Sequence, residues 1–197
     1  MGDVDAATAA AARRLAEAAP SLRLKPAWLA AQRPRIEEAV TSVAGAGAAD
    51  AAASALLQLF AAADIRDSCE GSLPPGLDRH HNLRVEGAHM VQLLQAVDIS
   101  QPTPDPGEGG PLAAALAERE EGEDGAPARS PAARSGPSTL KVCLTDGTQA
   151  ICGIERRPVA ALRAAGPGAK IVLGNRPLLR RGFLLLEPQN LEVLGVS

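Results

Sequence analysis

Forty residues, 100–139, split this chain into two parts that must fold around them. The segment holds seven prolines, six glycines and four serines, but no aromatic, valine or isoleucine, and its only large apolar residues are Leu112 and Leu116. Such a stretch cannot bury enough surface to offset its ordering entropy. It is expected to be disordered or ordered by a partner, with at most a helical turn or two from Leu112 to Glu121. The core of the 197-residue chain must then come from two regions, Leu56 to Ile99 and Leu140 onward. Much of the 46% apolar content is alanine, which contributes little area, and aromatics make up only 2%.

Charge follows the same division. Residues 100–139 carry 3 basic and 7 acidic side chains, and residues 140–197 carry 8 basic and 4 acidic ones. A mildly basic C-terminal part beside an acidic insert is weak electrostatics for nucleic acid, well short of a dedicated basic stripe. Cys69, Cys143 and Cys152 are odd in number and lack C-x-x-C spacing. Met1 to Asp5 carries acids where a signal peptide needs basic residues. Reduced thiols in the cytosol or nucleus are therefore expected. No run of eighteen apolar residues exists, so a membrane span is not expected.

The first hundred residues open with helical patterns. Asp3 or Asp5 suits the cap of a helix from about Ala6 to Ala19, ended by Pro20, although residues 1–24 are as compatible with a flexible segment. Pro26 suits the first turn of a second helix carrying Trp28, Leu29, Ile36 and Val40, with Pro34 expected to kink or split it. A third helix, about Ala49 to Ala63, places Leu56, Leu57, Leu59 and Phe60 at helical spacing. Asp64 to Asp67 closes it, and Leu73-Pro74-Pro75-Gly76 forces an extended turn. Residues 25–76 thus read as a small helical cap, marginal alone.

From Arg84 the period changes. Ala88 to Ile99 reads as a long strand with Val91, Leu93 or Leu94, Val97 and Ile99 as core candidates. After the insert, Leu140 to Leu144 and Gln149 to Glu155 flank Asp146-Gly147, a two-residue type I′ hairpin signal. Pro158 to Arg163 is a short helix or turn, and Gly166-Pro167-Gly168 breaks the chain. Lys170 to Leu173, Phe183 to Leu186 and Leu191 to Leu194 are further strands. The class is α+β: a three-helix cap followed by a five-stranded OB-fold barrel, residues 77–197, with a long disordered insert between strands 1 and 2. An SH3-like barrel is the competitor, which the helical connector disfavours.

Little of this carries chemistry. His80 and His81 are adjacent with diverging side chains, His89 follows eight residues on, and no cysteine lies at ligand spacing, so solvated loop histidines are expected and no metal. Cys143 has no histidine base in its segment and reads as a small strand residue. The run Gly107-Glu108-Gly109-Gly110 follows no strand and lacks a phosphate loop's ending. No catalytic residue, cofactor, metal or small-molecule substrate is expected. Arg156, Arg157, Arg180 and Arg181 are candidate contacts to a nucleic-acid backbone. Phe183 is the only aromatic beyond Leu83, so base stacking is nearly absent and DNA affinity should be weak and salt-sensitive. The barrel looks better suited to proteins than to bases.

The order of several short motifs is more specific. Asp64-Ile65-Arg66-Asp67 precedes Leu73-Pro74-Pro75-Gly76, and Val97-Asp98-Ile99-Ser100-Gln101-Pro102 opens the insert. Leu144-Thr145-Asp146-Gly147, Pro167-Gly168-Ala169-Lys170-Ile171, Gly182 to Asn190 and Val193-Leu194-Gly195 follow. From about Pro26 to Gly195 the chain resembles the N-terminal region of the RecQ-mediated genome instability protein 1 family. The resemblance implies a nuclear, non-catalytic adaptor that binds topoisomerase III in a complex with a Bloom-type RecQ helicase. That complex dissolves double Holliday junctions in homologous recombination. The resemblance also implies that the insert reaches into the topoisomerase and modulates its gate. Pro102, Leu112 and Leu116 in the insert, and Lys170 on the barrel, are the candidate contacts to the topoisomerase. Lys170 follows a Pro-Gly turn and opens a strand, where its cation is expected to stay at the rim, either meeting the partner or as a solvated strand-end lysine. The alternatives are a single-stranded nucleic-acid module, or an adaptor of the other topoisomerase III like the N-terminal region of Tudor domain-containing protein 3.

Overall fold

The computed structural model describes residues 8–13, 22–42, 48–100 and 138–194. Residues 8–13 are helical. Helix α1, Pro26–Thr41, starts on its proline and runs unbroken through Pro34, so the expected split does not occur. That proline lacks the N–H that would reach the Ala30 carbonyl, and burial of Ile36 two residues on holds the helix in place. Helix α2, Ala48–Ala62, buries Ala52, Leu56 and Phe60 along one stripe. The expected closing turn is a short helix, α3, Ile65–Ser68, capped by Asp64 accepting from the Arg66 N–H at 2.8 Å. Trp28 meets Phe60 edge-on, with ring centres 6.4 Å apart.

Among the described residues, eight strands follow in one curled sheet, the six stretches read as strands and two more, rather than the five of the expected barrel. They are β1 Asn82–Arg84, β2 His89–Asp98, β3 Leu140–Thr145, β4 Ala150–Glu155, β5 Lys170–Leu173, β6 Leu178–Arg180, β7 Phe183–Leu186 and β8 Leu191–Leu194. Their order is β1-β6-β7-β4-β3-β2-β5-β8. The additions absent from the sequence reading are β1 and β6, three residues each, which pair only with one another and with β7. Three-residue pieces show no period, so alternation does not reveal them. Helix α4, Ala160–Ala164, bridges β4 and β5.

One strand organises the barrel. The first half of β2 pairs with β5, from His89↔Leu173 to Gln92↔Lys170, and its second half pairs with β3. Between these halves the register shifts at Leu93/Gln95. A bulge reverses the faces that follow it. Val91 and Leu93 therefore face the core, while Val97 is 41% and Ile99 48% exposed. The expectation that Val97 and Ile99 join the core is corrected for that reason. β4 runs parallel to β7, and the other pairings are antiparallel.

The Asp146-Gly147 signal marks a hairpin, but not of type I′. Thr145 pairs with Ala150, so the loop has four residues and only Gly147 has a positive φ, 94°. A Cβ on Gly147 would lie 3.1 Å from the Ile65 carbonyl, so the loop packs directly on α3. Two apolar clusters result. One fills the barrel with Val91, Leu93, Val142, Leu144, Ile171, Leu173, Leu179, Leu184 and Leu186 among others. The other joins Ile36, Leu56, Phe60, Ile65 and Cys69 of the cap to Met90 on the outside of β2.

Candidate partner interface

Two ends of the barrel are fixed in different ways. At the cap end, the Lys170 side chain is 1% exposed. Its ammonium donates to the carbonyls of Ala63 at 2.6 Å, Gly168 at 3.1 Å and Ala61 at 3.3 Å, and lies 5.5 Å from the Phe60 ring centre. It closes the C-terminus of α2, where unpaired carbonyls and the helix dipole favour a cation. Burial pushes its pKa below the ordinary lysine value, partly offset by Asp64 and Cys69. The rim position expected for Lys170 is therefore corrected: alternation on β5 turns Lys170 and Val172 toward the cap, which covers this face. An open cleft of about 540 Å³ lies alongside, lined by Asp64, Gln92, Pro167 and Leu194 among others.

The hairpin loop completes this joint. Asp146 accepts from the Ser72 and Leu73 N–H groups at 3.0 and 2.9 Å through one carboxylate oxygen. The other oxygen accepts from the Thr148 and Gln149 N–H groups and the Thr148 hydroxyl, at 2.8–2.9 Å. Gln149 returns its amide to the Leu73 and Pro74 carbonyls. Burial alone would raise the Asp146 carboxyl's pKa, but these donors outweigh it and hold it below the usual range. Gln92 accepts the buried Ile65 N–H at 2.8 Å. His89, which falls in the expected strand but was expected to be solvated, is buried, with its ring nitrogens 2.7 Å from the Ser72 and Glu86 carbonyls. His80 and His81 are exposed, as expected.

At the opposite end of β3 and β4 stands the frame from which the insert leaves. Ile99 donates to the Thr139 carbonyl at 2.9 Å. The Asp98 carboxylate accepts from the Ser100 hydroxyl at 2.6 Å and the Ser138 hydroxyl at 2.5 Å, and these bonds pull its pKa down to about 2. Arg163 on α4 donates to the Ser138 carbonyl at 2.7 Å and to both oxygens of buried Glu155. Glu155 also accepts the Leu140 and Val159 N–H groups. Residues 100 and 138, the flanks of the insert, are thus held side by side. Pro102, Leu112 and Leu116, together with the insert's expected disorder, lie outside the described residues.

The four arginines do not converge. Arg156 and Arg157 meet the Leu186 carbonyl at the end of β7, and Arg156 pairs with Glu187 at 3.2 Å. Arg180 pairs across to Phe183 at the start of that strand, and Arg181 follows in the turn. About 10 Å of strand separates the two pairs. Phe183 is partly exposed with the Lys141 ammonium 5.5 Å from its ring centre. Among the described residues, no three His, Cys, Asp or Glu side chains group to hold a metal, and no helix is long and apolar enough to cross a membrane.

Sequence reasoning missed Asp146, Gln149, Glu155 and Arg163. The first two had a signal in the Asp-Gly-Thr-Gln loop, whose carboxylate can cap its own turn. Glu155 gave none, because an acid ending a strand reads as exposed.

Comparison with known proteins bears on this arrangement. Residues 73–197 match a family model described as "RMI1, N-terminal OB-fold domain". A protein named RecQ-mediated genome instability protein 1 from Oryza sativa subsp. japonica is 32% identical over 176 residues, covering 88% of this chain and 18% of that protein. Its Xenopus laevis namesake is 33% identical over 142 residues, covering 67% and 24%. The Schizosaccharomyces pombe protein of that name is 28% identical over 166 residues, covering 72% and 70%. The chain thus spans roughly a fifth of the plant and frog relatives' length and about two thirds of the yeast one's.

Proposed function

The chain belongs to the RecQ-mediated genome instability protein 1 family, and from that premise we propose that it is a non-catalytic, nuclear adaptor for genome stability. Its partner is topoisomerase III, within a complex containing a Bloom-type RecQ helicase that dissolves double Holliday junctions during homologous recombination. The observation that carries this reading is the frame at the base of the insert. The Asp98–Ser138 and Arg163–Ser138 bonds hold both flanks of the insert on a rigid barrel end, opposite the end the cap occupies. A frame of that kind suits a segment presented to a partner, since fixing its ends reduces the ordering cost of docking.

Calorimetry with purified topoisomerase III at physiological salt tests the reading. A tight one-to-one complex is expected. Deleting residues 103–137 should leave the barrel folded and change decatenation by the topoisomerase; unchanged decatenation removes the insert's role. If neither form of topoisomerase III binds, the adaptor reading fails and single-stranded DNA becomes the leading ligand. Binding only to the form served by Tudor domain-containing protein 3 would redirect the partner assignment. The separation of the two arginine pairs argues against a continuous nucleic-acid track.

A further inference from the structure

Cys143 on β3 and Cys152 on β4 are direct register partners. Both are free and half-buried. The Asp146 N–H donates to the Gln149 carbonyl at 3.2 Å, which sets the phase of the ladder at that level, while the Gln149 N–H turns to the Asp146 carboxylate. The register then runs without a shift from Thr145↔Ala150 to Lys141↔Ile154. Antiparallel pairs alternate, so Cys143↔Cys152 falls at a non-hydrogen-bonded position, where opposed Cα atoms stand about 4.5 Å apart. That spacing lies within the range of roughly 4.4–6.8 Å that a disulfide spans. Burial first, then the neighbouring Cys152 thiol, which also hydrogen-bonds with it, pushes the Cys143 thiol's pKa up.

The pair faces outward. Val142 and Leu144 on one strand and Ile151 on the other point into the barrel, so alternation sends both thiols to the opposite face. They occupy one row across the sheet, Gln95, Cys143, Cys152 and Phe183. Cys69 is different: it is 2% exposed beneath the cap, and burial raises its pKa to about 11.

We propose that Cys143 and Cys152 form a dithiol modification site, converted reversibly to an intramolecular disulfide by low-molecular-weight disulfides such as oxidised glutathione. One cysteine gives up its proton, and its thiolate attacks a sulfur of the oxidant, forming a mixed disulfide and releasing one glutathione thiolate that takes up a proton. The opposed cysteine, deprotonated in turn, attacks the protein-side sulfur of that mixed disulfide and expels the second glutathione. Two protein thiols lose two electrons, and one oxidised glutathione becomes two reduced ones. The neighbouring thiol is already opposed, so the second step needs no chain rearrangement. Proton loss from Cys143 limits its use as the attacking group at neutral pH, and exchange accelerates on the alkaline side.

The test equilibrates the purified full chain, folded by its thermal transition, with glutathione mixtures of rising oxidised fraction, followed by alkylation and peptide mapping. The expected product is lighter by two hydrogens, carries a Cys143–Cys152 bridge and leaves only Cys69 alkylated. Cys152→Ser should stop at a mixed disulfide with glutathione. If all three cysteines still alkylate in mostly oxidised glutathione, the proposal is overturned. A bridge that includes Cys69, joins two chains or forms only in denaturant overturns it as well. A second probe avoids redox equilibrium: phenylarsine oxide, which needs two adjacent thiols, should bind once per folded chain. Cys143→Ser should weaken that binding at least tenfold, and equal binding by the variant overturns the site.

Discussion

The Lys170 ammonium stands 2.6 Å from the Ala63 carbonyl and 5.5 Å from the centre of the Phe60 ring, so a barrel side chain closes a cap helix. Lys170→Met keeps the apolar stem but loses the charge and three hydrogen bonds. It should lower unfolding free energy by about 1–3 kcal/mol, the ordinary worth of charged hydrogen bonds at a helix end less the desolvation recovered. Denaturant melts measure this, and an unchanged midpoint would show that the ammonium does not hold the joint.

Asp146 makes the joint sensitive to acid. Its folded pKa lies below the value of 3.8 ordinary for an aspartate. The unfolded chain therefore takes up its proton first as pH falls. The stabilisation is complete at neutral pH and fades as pH drops through about 4 toward the folded value. Asp146→Ala should cost more than about 2 kcal/mol at pH 7, since it leaves several N–H groups without an acceptor. Its stability should also fall less steeply than the parent's between pH 5 and pH 3; parallel acid limbs would show that Asp146 does not set this dependence.

The insert frame rests on Glu155, whose side chain is 2% exposed, and Arg163, a third exposed. Glu155→Ala strands the Arg163 guanidinium and the Leu140 and Val159 N–H groups, and should cost about 3 kcal/mol. Arg163→Ala should cost less, because its solvent-facing side is already screened. Both should speed hydrogen exchange at Leu140 more than at Ile171, which lies on β5, two strands away. Uniform loss of protection would mean that the network supports the whole fold rather than the frame.

What was legible in the sequence follows from how locally each feature is encoded. Helix α2 and β3, β4, β5, β7 and β8 were visible because each carries a period or a flanking turn signal. The core partners of β2 were misread beyond Leu93, because one extra residue in a strand reverses every later side chain and leaves no mark in composition. Lys170 was misplaced because its burial depends on the cap's carbonyls, contributed more than a hundred residues earlier in the chain. The Asp146 loop was found as a turn but mistyped, since its conformation is set by N–H groups from Ser72 and Leu73.

Arg156, Arg157, Arg180 and Arg181 sit as two pairs about 10 Å apart along β7. Replacing either pair by glutamine should reduce any single-strand binding modestly and lower its salt slope by about one per lost phosphate contact. Fluorescence anisotropy across a salt series reads both quantities. A joint loss far beyond the two single-pair effects would reveal one continuous track.

Val97 and Ile99 carry the sharpest separation of stability from function. Both are large, apolar and exposed at the root of the insert, and the bulge rather than any core contact dictates their outward placement. Val97→Asp and Ile99→Ser should therefore change stability by no more than about 0.5 kcal/mol, as for ordinary surface positions. On the adaptor reading the same changes should weaken binding to topoisomerase III at least tenfold, because an exposed apolar pair beside a docking segment is covered when the partner arrives. Melting curves and calorimetry on the same samples separate the two effects. Normal folding with normal binding would remove this part of the barrel from the interface, and a large fall in melting temperature would mean that the two side chains are buried in solution.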